Sequence, residues 1–150
     1  MNKPNPIPEE FHTLTPFINA TDAAALIEFL QKAFGAELCN RLDMPDGKVM
    51  HAVVRIGDSS IMIGEACGEM GPTPASLYFY VKDVDAVFKR AVEQGAESKV
   101  APDDMFWGDR MCTVQDAWGN NWHIATHTED VPQDEVEDRA KAFIEQMGNT

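Results

Sequence analysis

Four histidines and a small set of aromatic residues are the side chains here that could do chemistry, and their spacing decides which could act together. His123 and His127 alternate with Ala125, so a strand there puts all three on one face and Trp122 and Ile124 on the other. Imidazole as a group titrates near neutral pH, which suits it to general-base work or to a ligand hydrogen bond. His123 is therefore the candidate catalytic residue if that face lines a binding site. The alternative is a histidine tied into a structural hydrogen-bond network. His51, on an earlier strand-like run, carries the same two readings. Phe106-Trp107-Gly108-Asp109-Arg110 sets an aromatic pair beside an Asp-Arg pair. Trp107 and Arg110 could stack on a planar ligand and hold its carboxylate or phosphate, or serve an internal salt bridge with the indole over the core edge. Tyr78 and Tyr80 flank Phe79 on one short strand and could reach a binding cavity or the core. Glu65, at a strand end, could meet a cationic group or simply solvent. No Ser-His-Asp or Cys-His spacing stands out, and Cys112 has no activating neighbour in sequence.

The chain as a whole narrows the partners. At 150 residues it reads as a single domain, 1–150, able to bury one sizeable core. No apolar run approaches the roughly 20 residues of a membrane span. Met1 to Glu10 holds three prolines and no apolar stretch, so it reads as a loose leader and not a signal peptide. Three scattered cysteines (Cys39, Cys67, Cys112) fit a reducing, cytoplasmic setting and argue against a disulfide framework or structural zinc. A formal charge of −13 argues against nucleic acid or an anionic membrane, both of which need a basic face. The acid balance is explained by a solvated surface, part of it in the tail from Glu129 to Glu145; the sharper alternative is attraction for a cationic small molecule.

Positioning falls to a unit used twice. Asp22-Ala23-Ala24-Ala25-Leu26-Ile27-Glu28-Phe29, closing at Phe34-Gly35-Ala36-Glu37, returns about 60 residues later as Asp83-Val84-Asp85-Ala86-Val87-Phe88-Lys89-Arg90, closing at Gln94-Gly95-Ala96-Glu97. Each copy follows a short apolar run (Thr15 to Ala20, within a strand read as Phe11 to Ala20; Leu77 to Val81). In the first, Thr21 reads as the N-cap and Gly35 as the C-cap glycine of an amphipathic helix. Strands Leu38 to Met44, Val49 to Ile56 and Ser60 to Gly64 follow, joined through Pro45-Asp46-Gly47 and Gly57-Asp58-Ser59. The second copy continues with Ser98 to Ala101, Arg110 to Gln115 and Trp122 to Thr126. Each unit is thus β-α-β-β-β: unit one about 11–66, a Gly/Pro linker 67–75, and unit two about 76–128, with a C-terminal helix about 132–147. Val136, Ala140, Phe143, Ile144 and Met147 make an apolar stripe on that last helix, suited to packing on its own domain or on a partner.

The two units, their Gly-Ala-Glu helix endings and the hairpin Asp116-Ala117-Trp118-Gly119-Asn120-Asn121-Trp122 resemble the vicinal oxygen chelate superfamily of glyoxalase I, bleomycin-resistance proteins and extradiol dioxygenases. Ala117 stands where the family hairpin usually has proline. His51-Ala52, Ile56-Gly57-Asp58-Ser59, Trp107-Gly108-Asp109-Arg110 and Ile124 to Val131 are similar to segments of its PhnB-like, glyoxalase-related group. The resemblance spans about residues 12 to 139. It implies an α+β fold of two tandem units forming a curled mixed sheet, plus the C-terminal helix, with a small-molecule cup commonly completed by a homodimer.

Metal-using members of such a family place His or Glu ligands on the first and last strand of each unit. The first-strand positions fall here on Thr15 and Ser76, and the last strands offer Ile61, Met62 or Ile63 and then His123. One good ligand among four does not hold a divalent ion, so neither a metal nor another cofactor is expected. His12 and His51 could restore a site only through a shift of register. Three functions follow. The favoured one is a metal-independent binder of a small molecule, using His51, Glu65, Tyr78, Tyr80, Trp107, Arg110 and His123. The second is a divalent-metal lyase, isomerase or dioxygenase of the glyoxalase type. The third is an interaction module acting through the C-terminal helix. Fold alone does not choose among them.

Overall fold

The computed structural model describes residues 3–69 and 71–148. In chain order the elements are β1 (Phe17–Ala20), α1 (Ala23–Phe34), β2 (Glu37–Asp43), β3 (Val49–Ile56), β4 (Ser59–Glu65), β5 (Ser76–Tyr80), α2 (Val84–Glu93), β6 (Glu97–Asp104), β7 (Asp109–Gln115), β8 (Asn121–His127) and α3 (Gln133–Gly148). Each unit forms its own four-stranded mixed sheet, ordered β1-β4-β3-β2 and β5-β8-β7-β6. The first strand of each unit runs parallel to the last, the helix carries the chain from the first strand to the second at the opposite edge, and the remaining pairs are antiparallel.

Some boundaries differ from the sequence reading. The first strand starts only at Phe17, because Pro16 before it has no N–H to give a ladder. The α1 cap is Asp22, not Thr21. Asp22 adopts left-handed backbone (φ 63°), and its side chain accepts the Ala25 amide. The Glu65 carboxylate takes the amides of Asp22 and Ala23 at 2.8 and 3.0 Å, placing negative charge on the helix N-terminus and offsetting that backbone cost. Strand β6 covers Glu97–Asp104 in place of 98–101, with shifts of register around Val100.

One helix covers one face of each sheet. Leu26, Ile27, Leu30 and Ala33 of α1 and Val84, Val87 and Ala91 of α2 are buried, following the helical period seen in the sequence. The two units share one apolar core, in which Phe34 of α1 meets Phe79 and Trp122 of unit two at 5.0 and 5.2 Å. The β7–β8 turn explains its motif. Buried Asp116 accepts the amides of Trp118 and Asn120, the Asn120 side chain and the Trp122 indole, so one carboxylate shapes the turn and anchors the core tryptophan. Trp118 then crosses to unit one, donating to the Thr21 carbonyl at 2.8 Å.

Helix α3 buries none of its residues. It is tied on by Arg139, which reaches Glu129 and the Phe106 carbonyl, and by Phe143 against the Phe106 ring at 5.3 Å. Gly108 makes the approach of these segments feasible. At φ 104° its carbonyl accepts the amides of Thr128 and Glu129, and a Cβ there would run into the Glu129 carbonyl.

Candidate ligand site

On the face of sheet two away from α2, strand register aligns Ser76, Tyr78 and Tyr80 of β5 with His123 and His127 of β8 and with Asp109, Met111 and Thr113 of β7. Asp109 is the centre. It is only 2% exposed, and its Oδ2 accepts Tyr78 Oη at 2.7 Å, Tyr80 Oη at 3.1 Å and Trp107 Nε1 at 3.1 Å. Oδ1 meets His127 Nδ1 at 2.8 Å, while His127 Nε2 meets Asp130 at 2.7 Å. Both imidazole nitrogens thus face carboxylates, which accept only, so the arrangement calls for a charged His127. Bonding to Asp109 and then to Asp130 raises its pKa accordingly. Burial works against the Asp109 charge, but the bonds from Tyr78, His127, Tyr80 and Trp107 outweigh it and hold the carboxyl below its usual range. Burial, reinforced by Asp109, pushes the Tyr78 phenol up to about 12.

His123 sits beside this network. Its Nδ1 lies 2.8 Å from Thr113 Oγ1, its Nε2 lies 2.9 Å from Ser76 Oγ, and its ring stacks on Tyr78 with centroids 6.1 Å apart. The structure therefore brings together Tyr78, Tyr80, Trp107 and His123 of the expected residues, and adds Ser76, Asp109, Thr113 and His127.

The others lie elsewhere. Glu65 caps α1, as its counterpart Thr126 does for α2 by accepting the Val84 amide at 3.0 Å. Arg110 points to the helix side of its sheet, where Asp85 and Asp104 hold it, the internal salt bridge that was the alternative reading. Its pKa is raised by those same two carboxylates. His51 belongs to sheet one, against the Phe17 ring at 5.6 Å.

A divalent ion does not fit the donors present. Register places Phe17 opposite Met62 and Tyr78 opposite His123, so the last-strand positions are Met62 and His123; the expected first-strand positions are Thr15, which falls just before β1, and Ser76, at the start of β5. That set is two hydroxyls, a thioether and one imidazole already bonded at both nitrogens. Among the described residues, no three His, Cys, Asp or Glu side chains converge on a metal-sized point.

Where the units meet there is a cavity of about 1130 Å³. Its floor is Phe34, Leu77, Phe79, Val87 and Trp122, and Tyr78 and Tyr80 form its lip along the open edge of β5. Those tyrosines, 42% and 62% exposed, connect the cavity to the Asp109 network.

The sequence profile of the Glyoxalase/Bleomycin resistance protein/Dioxygenase superfamily matches residues 11–124. The chain belongs to this superfamily. Within reach of it are the uncharacterized protein Rv0887c of Mycobacterium tuberculosis, 36% identical over 135 residues (83% of this chain, 79% of that protein), and Mb0911c of Mycobacterium bovis, at the same identity and covering 89% of that protein. Among solved structures of like fold, TioX from Micromonospora sp. ML1 superposes with TM-score 0.63 at 26% identity, covering 76% of this chain and 98% of TioX. TnmS3, an antibiotic binding protein from Streptomyces sp. CB03234, superposes with TM-score 0.63 at 22% identity, covering 78% of this chain and 96% of its own. No helix of the described residues is long and apolar enough to cross a membrane.

Proposed function

We propose that this superfamily member binds a small organic molecule in the cavity between its two units, without a divalent metal. The observation that carries the reading is the cavity: an apolar, aromatic floor, a tyrosine lip and polar groups at one side, the usual composition of a small-molecule site. The donor set at the four strand positions supports the metal-free part. That TnmS3 is an antibiotic binding protein illustrates what this fold can carry; the residues argue for it here. His123, bonded at both nitrogens by Thr113 and Ser76 and stacked on Tyr78, serves this site by keeping the tyrosine lip rigid.

The test is thermal unfolding of chelator-treated protein against a panel of planar organic compounds and divalent metals. A ligand at 100 times its dissociation constant adds about 2.7 kcal/mol, about 5–11 °C for a chain of this size. The reading expects such a shift from organic ligands in chelator. A shift seen only with metal, and lost in His123→Ala, would replace it with the metal-enzyme reading.

A further inference from the structure

The two units close over their helices differently. Strand register makes Tyr78 the counterpart of Phe17, and the same alignment carried along the helices puts Lys82, Val87 and Arg90 where unit one has Thr21, Leu26 and Phe29. In unit one the helix is covered by Trp118, which reaches across from the β7–β8 turn. Its ring stands 6.1 Å from Phe29 and its indole donates to the Thr21 carbonyl. The counterpart turn, between β3 and β4, is shorter; it consists of Gly57-Asp58 and has no large side chain to lay on α2. The place left open belongs to the cavity, with Gly57, Asp58 and Ser59 on one side and Ala86, Val87 and Arg90 on the other.

Three departures from the repeat add positive charge here, and one, Glu93 for Lys32, removes it. Arg90 replaces Phe29, Lys82 replaces Thr21 and Lys89 replaces Glu28. Among the described residues, six of the 12 Lys and Arg side chains are paired with carboxylates. Of the rest, Lys82, Lys89 and Arg90 all line this one cavity. Three carboxylates line it as well. Asp83 caps α2 and Asp58 accepts the Ser59 hydroxyl, bonds from neutral donors that leave both charges in place, so with Glu93 the formal charge at the cavity balances. What sets the place apart on a chain of net −13 is three cationic side chains clustered at one cavity with no ion pair among the described contacts, free to turn to an acidic ligand group.

We infer that the cavity takes a planar aromatic anion, such as an aryl carboxylate or sulfonate. Its ring lies against α2 as Trp118 lies against α1, and its acidic group sits among Lys82, Lys89 and Arg90. The inference rests on the small-molecule reading above and adds the ligand class. Guanidinium suits both halves of such a ligand, since it stacks on rings and bonds planar acids.

Two dyes sharing one ring system separate the parts: anilinonaphthalene sulfonate and the uncharged phenylnaphthylamine, titrated by fluorescence. The sulfonate should bind about tenfold or more tightly than the neutral dye, as expected for a charge-assisted contact. Lys82→Ala, at an exposed side chain, should weaken the sulfonate severalfold and leave the neutral dye unchanged, and Arg90→Ala should weaken the sulfonate severalfold more than the neutral dye. The double variant Asp58→Trp with Arg90→Phe copies the closure of unit one; it should abolish binding of both dyes while holding or raising Tm. Equal affinity for the two dyes, or indifference to both alanine variants, overturns the anion and leaves the cavity reading standing. Binding of neither dye, with no other compound of the panel shifting Tm, overturns the cavity reading itself. If light scattering shows a dimer that Asp58→Trp dissociates, a second copy is the occupant and the inference falls.

Discussion

Asp109→Asn is the change that most directly probes the polar centre of sheet two. The variant keeps the shape and one acceptor oxygen. If that oxygen stays toward Tyr78, Tyr80 and Trp107, the new amide NH₂ faces His127 Nδ1, which must then present a lone pair. Two consequences follow. Three bonds change from a charged to a neutral acceptor, a loss of up to about 1 kcal/mol each. Tyr80 is mostly exposed and recovers its bond from water, so the total is about 2 kcal/mol. For a chain of this length that lowers Tm by about 4–8 °C. Second, His127 loses its first carboxylate partner and keeps only Asp130, so its pKa falls back toward the ordinary histidine value. Scanning calorimetry reads the first effect, and the imidazole resonances in an NMR pH titration read the second. An unchanged Tm together with an unmoved His127 titration would refute the network as described, because no other group faces Oδ1 of Asp109 among the described contacts.

Other outcomes follow from the same contacts. Glu65→Ala removes the acceptor of two amides at the start of α1 and should cost about 2 kcal/mol, seen as a lowered urea midpoint with an unchanged slope; a stability equal to wild type would return Glu65 to the list of ligand residues. Gly108→Ala places a Cβ on the Glu129 carbonyl and should loosen the 128–131 segment and α3, seen as faster amide exchange there and not in unit one. The raised pKa of His127 contributes stability that is complete below about pH 6.5 and is lost as pH rises through the folded value. Tm should therefore decline as pH rises above about 6.5 in the wild type, and that decline should flatten in His127→Gln. Asp109 has the opposite sign, with stability present above its unfolded pKa and lost only in acid.

Much of the fold was legible because its signals are local and repeated. The apolar period from Ala23 to Phe34, the Gly35 stop and the Pro45-Asp46-Gly47 turn each dictate their element with little tertiary help, and finding the helix and its glycine stop twice points to two like units. The site was legible only in part. Alternation along β8 suffices to put His123 and His127 on one face. The Trp107 to Arg110 loop misled for a reason also present in the sequence: once β7 begins at Asp109, neighbours point to opposite faces, so Asp109 turns to the tyrosines and Arg110 to α2. Glu65 was misplaced because capping from a strand end 43 residues away leaves no trace in local spacing. The cavity depends on which turn crosses to which helix. Its signal was there, in Phe29 against Arg90 and Trp118 against Gly57-Asp58, but it becomes readable only when the two copies are aligned through strand register.

The central claim is metal-free binding of an organic molecule between the units. The most direct measurement is a two-dimensional amide NMR titration of the chelator-treated protein with an aryl carboxylate. Binding as described shifts saturably the amides of Ile56 to Ile61, Leu77 to Val81 and Ala86 to Arg90, with β2 and β6 unmoved. No saturable shift in chelator, followed by shifts at Ser76 and His123 once a divalent metal is restored, would contradict the account.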